Sequence, residues 1–335
     1  MISDKSIAEI SALQAGPLDI EVTQQTKKYV ESLGLLKIDF LGLRNLTILG
    51  DTLNLINQQG TNLNPHKIPL NDAKTLQLFD EGKTDAIFQF ESNGIKRVLR
   101  SLHPDNFEDL VAVNALYRPG PMNNIDTFIA RKKGQERIQY PDSSLEKILA
   151  PTYGVLVYQE QVMQTAQVLA GFSLGEADIL RRAMSKKEPD VIARQRDKFI
   201  QGTVKNGHPR LVGERVYKYI EQFANYGFNR SHAVAYTKIA FWLAYLKVHF
   251  PLEFYTAILN SSGAGKAQSY IMQAQEAGIK FSTPDINQSQ KDYTIKEGKI
   301  LVGLRAIKGL RIDFVNQIVN LKRPFTSFSD FLRKI

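Results

Sequence analysis

Cysteine is absent from the 335 residues of this chain, which excludes disulfide bonds, zinc–thiolate sites and cysteine nucleophiles and fits a reducing compartment. No run of 18 or more apolar residues occurs, so the sequence predicts no membrane-spanning segment. The longest apolar stretch, residues 233–250, is interrupted by Lys238, Lys247 and His249. The first residues lack the apolar core that a signal peptide needs.

Familiar nucleotide, metal and hydrolase motifs are missing as well. The sequence contains no GxxxxGK[ST] phosphate loop, no GxGxxG turn, no HExxH pair and no GxSxG elbow. The five histidines lack metal-ligand spacing, so each taken alone is interpreted as a structural or surface residue. What is present is a hydrophobic fraction of 43%, which is enough for a sizeable core in one large domain or two smaller ones.

Positive charge is concentrated in one part of the chain. The formal net charge is +9, and the window from Arg181 to Arg230 holds twelve bases against five acids, a local excess of seven. A basic region of this kind is typical of a nucleic-acid-binding surface. A solvated helix face is the alternative interpretation, and composition does not decide between the two.

Hydrophobic periodicity predicts mixed structure in the first sixty residues. A strand is expected over Ile20–Thr23, a helix over Gln24–Leu33 that ends at Gly34, a strand over Leu35–Phe40 and a helix over Asn45–Gln58. The polar residues 59–65 form a loop and the best candidate for a domain boundary.

Helices dominate after this loop, and short strands return near the C-terminus. A Glu297-Gly298 turn predicts a hairpin between residues 293–296 and 299–302. The expected fold class is therefore predominantly α with a small α/β portion. The predicted helices are Asn71–Phe79, Phe107–Tyr117, Tyr158–Ala170, Ser173 to about Lys187 with a Ser173–Glu176 capping box, Val191–Asn206, Leu211–Phe223, His232–Val248 and Leu252–Asn260.

One lysine and one carboxylate interrupt the apolar run after Gly34. In a strand Lys37 and Asp39 would share one face, while Ile38 and Phe40 would point into the core. A carboxylate in such a position needs a cation or a hard metal such as Mg²⁺. The spacing therefore fits either a structural ion pair or one ligand of a magnesium site.

Three further segments combine basic residues with a helix or a turn. Arg182 and Lys186 lie four residues apart on a predicted helix, where their like charges repel unless an anion lies between them. Arg118 lies in the rigid Tyr-Arg-Pro-Gly-Pro turn, and Arg230 and His232 flank Ser231, the predicted cap of a helix whose N-terminus favours anions. Packing or capping explains the last two segments equally well.

Taken together, these stretches resemble the C-family DNA polymerases, the family of bacterial replicative polymerase alpha subunits. The similarity occurs in family order from about Ile20 to the end of the chain. It is carried by residues 35–43 (LLKIDFLGL), 117–121 (YRPGP), 152–154 (TYG), 158–163 (YQEQVM), 180–184 (LRRAM), 226–233 (YGFNRSHA), 284–287 (PDIN) and 306–309 (AIKG).

The resemblance implies a palm remnant of nucleotidyltransferase-like fold in residues 1–60 and a helical fingers domain in residues 61–335. Asp39 matches the third catalytic, metal-binding aspartate, and Lys37 matches the lysine beside it that faces the incoming nucleotide. The expected nucleotide-binding residues are Arg181, Arg182, Lys186 and Lys187, and the expected contacts to DNA or nucleotide are Arg118, Arg230 and His232.

The implied activity is template-directed transfer of a dNMP to a primer 3′-hydroxyl with two Mg²⁺ ions, in the cytoplasm. The implied partners are primer–template DNA, dNTPs, and the sliding clamp and other replisome proteins through regions outside this chain; no membrane is expected. The family's Pro-Asp-x-Asp-x-Asp motif is missing, so the chain resembles a fragment that would be inactive alone. The alternative interpretation is a non-catalytic helical DNA-binding module.

Overall fold

The chain divides into two compact units, Met1–Arg44 and Asn45–Ile335, called here the first and the second unit. The structure is a computed structural model and describes residues 1–186, 189–223 and 227–335. The palm–fingers boundary expected near residue 60 stays a prediction.

The first unit has little regular structure. It contains a short helix α1 (Ile7–Ile10) and two strands, β1 (Leu13–Ala15) and β2 (Glu21–Thr23), which pair antiparallel with Gln14 opposite Val22. The strand predicted over Ile20–Thr23 is thus confirmed. An isolated antiparallel bridge joins Ile2 to Leu36.

Two predictions for this unit are wrong. Residues 24–33 form turns instead of a helix, and the predicted strand at 35–40 is reduced to the single bridge at Leu36. Ile38 and Phe40 do not enter a core, since they are 42% and 95% exposed. A short helix needs an apolar face to pack against a neighbour, and a strand needs a ladder partner. The first unit supplies neither for these residues.

The second unit is predominantly helical, which confirms the expected fold class. Its helices are α2 (Arg44–Gln58), α3 (Ala73–Asp80), α4 (Asn93–Leu102), α5 (Phe107–Leu116), α6 (Ile125–Lys132), α7 (Glu146–Leu149), α8 (Gln159–Ala170), α9 (Leu174–Lys186), α10 (Pro189–Lys205), α11 (Arg210–Phe223), α12 (Arg230–His249), α13 (Pro251–Ser261), α14 (Ala264–Glu276), α15 (Ile312–Asn320) and α16 (Phe328–Lys334).

The apolar side chains of these helices form three cores. The largest joins α2–α5 to α12 and α13, and fully buried rings such as Phe79, Phe90 and Phe241 fill it. The second packs α7–α11 around Phe199 and Tyr217. The third is small and lies among α15, α16 and the segment before them.

A three-stranded sheet precedes α15. Strand β4 (Thr294–Lys296) pairs antiparallel with β5 (Lys299–Leu301) across the Glu297-Gly298 turn, which confirms the predicted hairpin. Strand β3 (Phe281–Ser282) pairs parallel on the other side of β5. Both turn residues have positive φ, +51° and +70°, and glycine tolerates that conformation without strain.

Helix boundaries agree with the sequence patterns to within a few residues, and two caps differ. The N-cap of α3 is Asp72 instead of Asn71, because its Oδ1 accepts the N–H of Thr75. The N-cap of α12 is Asn229 instead of Ser231, because its Oδ1 accepts the N–H of His232. Asn, Asp and Ser are similarly favoured caps, so a sequence that offers two neighbours does not select one. Within the part of the chain that is described, no helix is long and apolar enough to cross a membrane.

Candidate nucleic-acid interface

Lys37 and Asp39 form an ion pair in the first unit. Lys37 Nζ lies 2.7 Å from Asp39 Oδ2, and the Asp39 side chain is 76% exposed. The hydrogen bond between them lowers the pKa of Asp39 and raises that of Lys37. The ion pair expected from the sequence is therefore present. It lies on the surface, outside any strand, instead of on a strand whose other face packs into a core.

A magnesium site is not complete in the described residues. Nowhere among them do three or more histidine, aspartate or glutamate side chains gather in a way that could hold a metal ion. Asp39 offers one carboxylate, and its near oxygen is already bonded to Lys37. Two Mg²⁺ ions do not fit this set, and Asp39 as a metal ligand stays a prediction.

Helix α9 carries the predicted nucleotide-binding arginines. Ser173 and Glu176 form the expected capping box at its start: the Glu176 N–H donates to Ser173 Oγ, and Glu176 Oε2 accepts the Ser173 N–H. Further along α9, Asp178 forms ion pairs with both arginines. Arg181 Nη2 lies 2.8 Å from Asp178 Oδ1, and Arg182 Nε lies 2.6 Å from Asp178 Oδ2.

One carboxylate between two guanidinium groups leaves an excess of positive charge. The hydrogen bond from Arg181, together with the charge of Arg182, lowers the pKa of Asp178. The two arginines differ in access, since Arg181 is 29% exposed and Arg182 is 67% exposed. Arg182 is thus the one better placed to meet a ligand. Lys187 lies outside the described residues, as does the side chain of Lys186.

Arg118 and His232 meet at the ring of Phe228. The guanidinium carbon of Arg118 lies 4.0 Å from the centre of that ring, and the ring of His232 packs edge-on at 5.3 Å. A cation at this distance from an aromatic face is attracted by the ring electrons. Burial lowers the pKa of Arg118, and its Nε is buried with no hydrogen-bond partner among the described residues.

A backbone bridge holds Phe228 in this position. Phe228 pairs in parallel with Tyr158: its N–H donates to Val157 O, and its carbonyl accepts the N–H of Gln159 at 2.9 Å. The start of α8 and the start of α12 are therefore tied together, and the aromatic ring is fixed beside both. His232 continues the stack to Tyr236, with ring centres 4.1 Å apart.

Arg230, at the first position of α12, is surrounded by carboxylates. Its backbone N–H donates to both oxygens of Glu160 at 3.0 Å, and its Nη2 donates to both oxygens of Glu108 at 2.8 and 2.9 Å. The hydrogen bond to Glu108 raises the pKa of Arg230. The helix N-terminus predicted to attract an external anion is thus occupied by Glu160 of the chain itself.

Glu108, Glu160 and Arg230 line an open cleft of about 740 Å³. The ring of Tyr158 also lines it, and Gln164 and Gln167 of α8 contribute amides. Amide and guanidinium groups donate to phosphate oxygens and sugar hydroxyls, and the carboxylates accept from base amines. The cleft therefore offers mixed polar chemistry instead of a purely basic surface.

Helix α9 packs directly against α8. Only residues 171–173 connect the two helices, and Val162, Ala166 and Leu180 share one core. Arg181 and Arg182 therefore lie on the helix next to α8, whose start contacts the start of α12 through Tyr158 and Glu160.

A buried ion pair holds α5 in place, and with it Glu108. Asp109 is 2% exposed, its Oδ2 lies 2.6 Å from Lys132 Nζ, and its Oδ1 accepts a hydrogen bond from the Tyr153 hydroxyl at 3.1 Å. Lys132 also contacts Asp105 at 2.8 Å. Burial raises the pKa of Asp109. Although burial also disfavours charged Lys132, its two carboxylate partners raise its pKa.

The acidic partners were not predicted from the sequence. Asp178 could have been found, since it lies three and four residues before the two arginines, the spacing of helical ion pairs. Glu108 and Glu160 reach Arg230 from 122 and 70 residues away, and no local pattern indicates such contacts.

The C-terminal segment has its own small core. Leu304, Val315, Ile318 and Phe325 pack together, and a tight turn at Gly309, with φ of +86°, leads into α15. A short 3-10 helix (Leu304–Ala306) and α15, joined by this turn, therefore precede α16.

Comparison with known proteins assigns both parts of this architecture. Residues 45–207 match the model of the bacterial DNA polymerase III alpha subunit finger domain, and residues 278–335 match that of the helix-hairpin-helix motif. Over its whole length the chain is 44% identical to DNA polymerase III subunit alpha of Bacillus subtilis (strain 168) and 43% identical to that of Aquifex aeolicus (strain VF5). The chain belongs to the bacterial DNA polymerase III alpha family. It spans about 30% of the length of these relatives.

Membership of the polymerase III alpha family confirms the resemblance found in the sequence. The finger-domain match includes Arg118, Glu108, Asp178 and both arginines of α9. The helix-hairpin-helix match was not anticipated, although residues 306–309 lie in it. Its only local signal is Gly309, which is too little to identify the motif alone.

Proposed function

We propose that this chain is part of a replicative DNA-directed DNA polymerase, which transfers a dNMP from a dNTP to a primer 3′-hydroxyl under the direction of a template. The observation that carries the proposal is the contact of Arg118 and His232 with the ring of Phe228, which a backbone bridge to Tyr158 holds beside the start of α12. The family match supports it.

In this proposal the chain positions substrates instead of breaking bonds. Arg182 faces the triphosphate, while Arg181 holds Asp178 and the helix surface in place. Arg118 and Phe228 present a cation and an aromatic face to the DNA, where bases stack and phosphates bind. Electrostatic positioning of this kind provides much of the catalysis in phosphoryl transfer.

Lys37 and Asp39 retain their predicted catalytic roles, with Mg²⁺ as the predicted cofactor. Magnesium would supply charge stabilisation at the transferred phosphate. One carboxylate does not make that site, so we expect this chain alone to incorporate no nucleotide. Contacts with the sliding clamp and other replisome proteins are proposed to lie elsewhere in the longer polymerase, which acts in the cytoplasm.

A DNA titration tests the proposed surface. Fluorescently labelled primer–template should bind with an affinity that falls steeply as salt rises, because phosphate binding releases counterions. Arg118→Gln should weaken binding and reduce the slope of log K against log salt by about 0.9, the share of one phosphate contact. The matched control is Arg97→Gln, the same change of charge on the exposed face of α4. Equal effects of both variants would contradict the proposed surface.

A non-catalytic helical DNA-binding module is the second candidate, and the helix-hairpin-helix match at residues 278–335 favours it. The two functions differ in their response to nucleotide. If the fingers surface holds a triphosphate, the dNTP complementary to the template should strengthen DNA binding, and Arg182→Ala should abolish that gain. An affinity for DNA that is the same with and without the dNTP would favour the non-catalytic DNA-binding module.

A further inference from the structure

A second cavity lies at the opposite end of α12 from Arg230. Its volume is about 390 Å³, and it opens between the last turn of α12, the beginning of α13 and the end of α14. Arg230 and Lys247 are about 25 Å apart along this helix, so the cavity is separate from the proposed DNA surface. Apolar lining comes from Leu78, Val248, Pro251 and Ala277, and polar lining from Lys83, Asp85, Lys247, Tyr255, Gln273 and Glu276.

Two backbone carbonyls hold the Lys247 amine at the wall of this cavity. Its Nζ donates to Lys83 O and to Asp85 O, both at 2.9 Å. Among the described residues no carboxylate forms an ion pair with it. An ammonium carries three hydrogens, whereas a neutral amine carries two and a lone pair. Two carbonyl acceptors therefore satisfy the neutral form completely and leave the lone pair in the remaining direction.

Burial favours the same form, and the surrounding charges only partly oppose it. Burial is the main reason that the pKa of Lys247 falls to about 8; the carboxylates of Asp85 and Glu91 act to raise it, and the ammonium groups of Lys96 and Lys83 act to lower it. Lys96 lies 2.6 Å from Asp85, so part of that carboxylate's influence is already offset. Tyr255 and Glu276 complete the titratable groups that line the cavity.

We propose that Lys247 is a site of covalent acylation by small acyl phosphates, which enter through this cavity. The Nζ lone pair attacks the acyl carbon and forms a C–N bond. The bond from that carbon to the phosphate oxygen breaks, inorganic phosphate leaves with its electron pair, and the displaced N–H proton passes to solvent. The methyl group of an acetyl chain would then contact the apolar lining formed by Leu78, Val248 and Ala277.

Acylation changes the hydrogen bonding at the end of α12. The amide product has one N–H, so either Lys83 O or Asp85 O loses its donor. An acceptor that loses its donor in this partly buried wall weakens the structure around it. The acylated chain should therefore unfold at a lower temperature than the unmodified chain.

The test uses the unaltered chain, acetyl phosphate as the reagent, and peptide mass spectrometry to measure acetylation of each lysine. Lys83 is the internal comparison, since it lines the same cavity and its side chain is 73% exposed. At pH 7.5 an amine of pKa about 8 is neutral roughly 200 times more often than an ordinary lysine of pKa about 10.4. The lower nucleophilicity of the weaker base reduces this advantage by roughly a factor of ten, which leaves about twentyfold faster labelling of Lys247.

The pH profile gives an independent result. Labelling of Lys247 should rise up to about pH 8 and then level off, whereas labelling of an ordinary lysine gains about tenfold per pH unit up to about pH 9 and keeps rising to about pH 10. Lys247→Met should remove the fast label and leave that of Lys83. Labelling no faster than at Lys83, or a rate that keeps rising to pH 10, would overturn the proposal.

Discussion

The carboxylates around Arg230 predict an unusual direction for one substitution. Glu108 holds the Arg230 guanidinium with both oxygens at 2.8 and 2.9 Å, so the cation that would meet DNA is already paired. Glu108→Gln removes the negative charge and keeps the size of the side chain. We expect this change to strengthen DNA binding, although it removes an ion pair from the protein.

The magnitude follows from exposure and distance. The two side chains are 44% and 46% exposed, so solvent screens the pair and its loss should reduce stability by no more than about 1 kcal/mol. A phosphate bound on the far side of the guanidinium would lie roughly 7 Å from the Glu108 carboxylate, a repulsion of about 0.6 kcal/mol in water. Removing that repulsion should raise the affinity for DNA about threefold.

Fluorescence anisotropy of a labelled primer–template at several salt concentrations measures both affinity and slope. If Arg230 gains one phosphate contact, the slope of log K against log salt should become steeper by about 0.9. The matched control is Glu81→Gln, which releases Lys83 from an ion pair of 2.6 Å near the other end of α12. An unchanged or weaker affinity for Glu108→Gln, with the control also unchanged, would refute a DNA-binding role for Arg230.

Two further outcomes follow from the ion pairs. Lys132→Met should reduce the free energy of unfolding by about 3–5 kcal/mol, because it leaves buried Asp109 without its cation. Urea unfolding at pH 7 measures this loss. The control variant Lys133→Met, at the exposed neighbouring residue, should change the free energy of unfolding little. Since the pKa of Lys132 is raised on folding, its contribution is intact below the ordinary lysine value of 10.5 and is lost as the pH rises above it. In the complete polymerase, Arg182→Ala should lower kcat/KM for dNTP by an amount that corresponds to a loss of about 2–4 kcal/mol of transition-state stabilisation. Arg181→Ala should lower it less, because Arg181 is the more buried of the two.

Local signals predicted nine of the fifteen helices described in the second unit; α4, α6, α7, α14, α15 and α16 were not predicted. The Ser173–Glu176 capping box, the Glu297-Gly298 turn and the helical spacing of α5 and α8 each specify a short segment through interactions within that segment. Because these interactions do not involve distant residues, the local sequence is enough to predict the structure of each segment.

The predictions failed where a segment depends on a partner. Residues 24–33 and 35–40 were expected to be a helix and a strand, and the first unit buries few apolar side chains around them, Val30 and Leu35 among them. Amphipathic periodicity indicates what a segment can form if a second surface covers it. The prediction of a core-facing Phe40 assumed such a surface, and the described first unit leaves this ring 95% exposed.

The charge of the candidate interface shows the same limit. Twelve bases and five acids between Arg181 and Arg230 give an excess of seven. The structure pairs bases of this window with three acids outside it: Glu108 with Arg230, Glu176 with Lys198, and Asp178 with both arginines of α9. Counting these acids reduces the excess to four. If each remaining charge neutralises one phosphate, the slope of log K against log salt should be no steeper than about −4. The window composition alone would have predicted a slope near −6. A measured value therefore tells whether the internal ion pairs persist when DNA is bound or open to release their arginines.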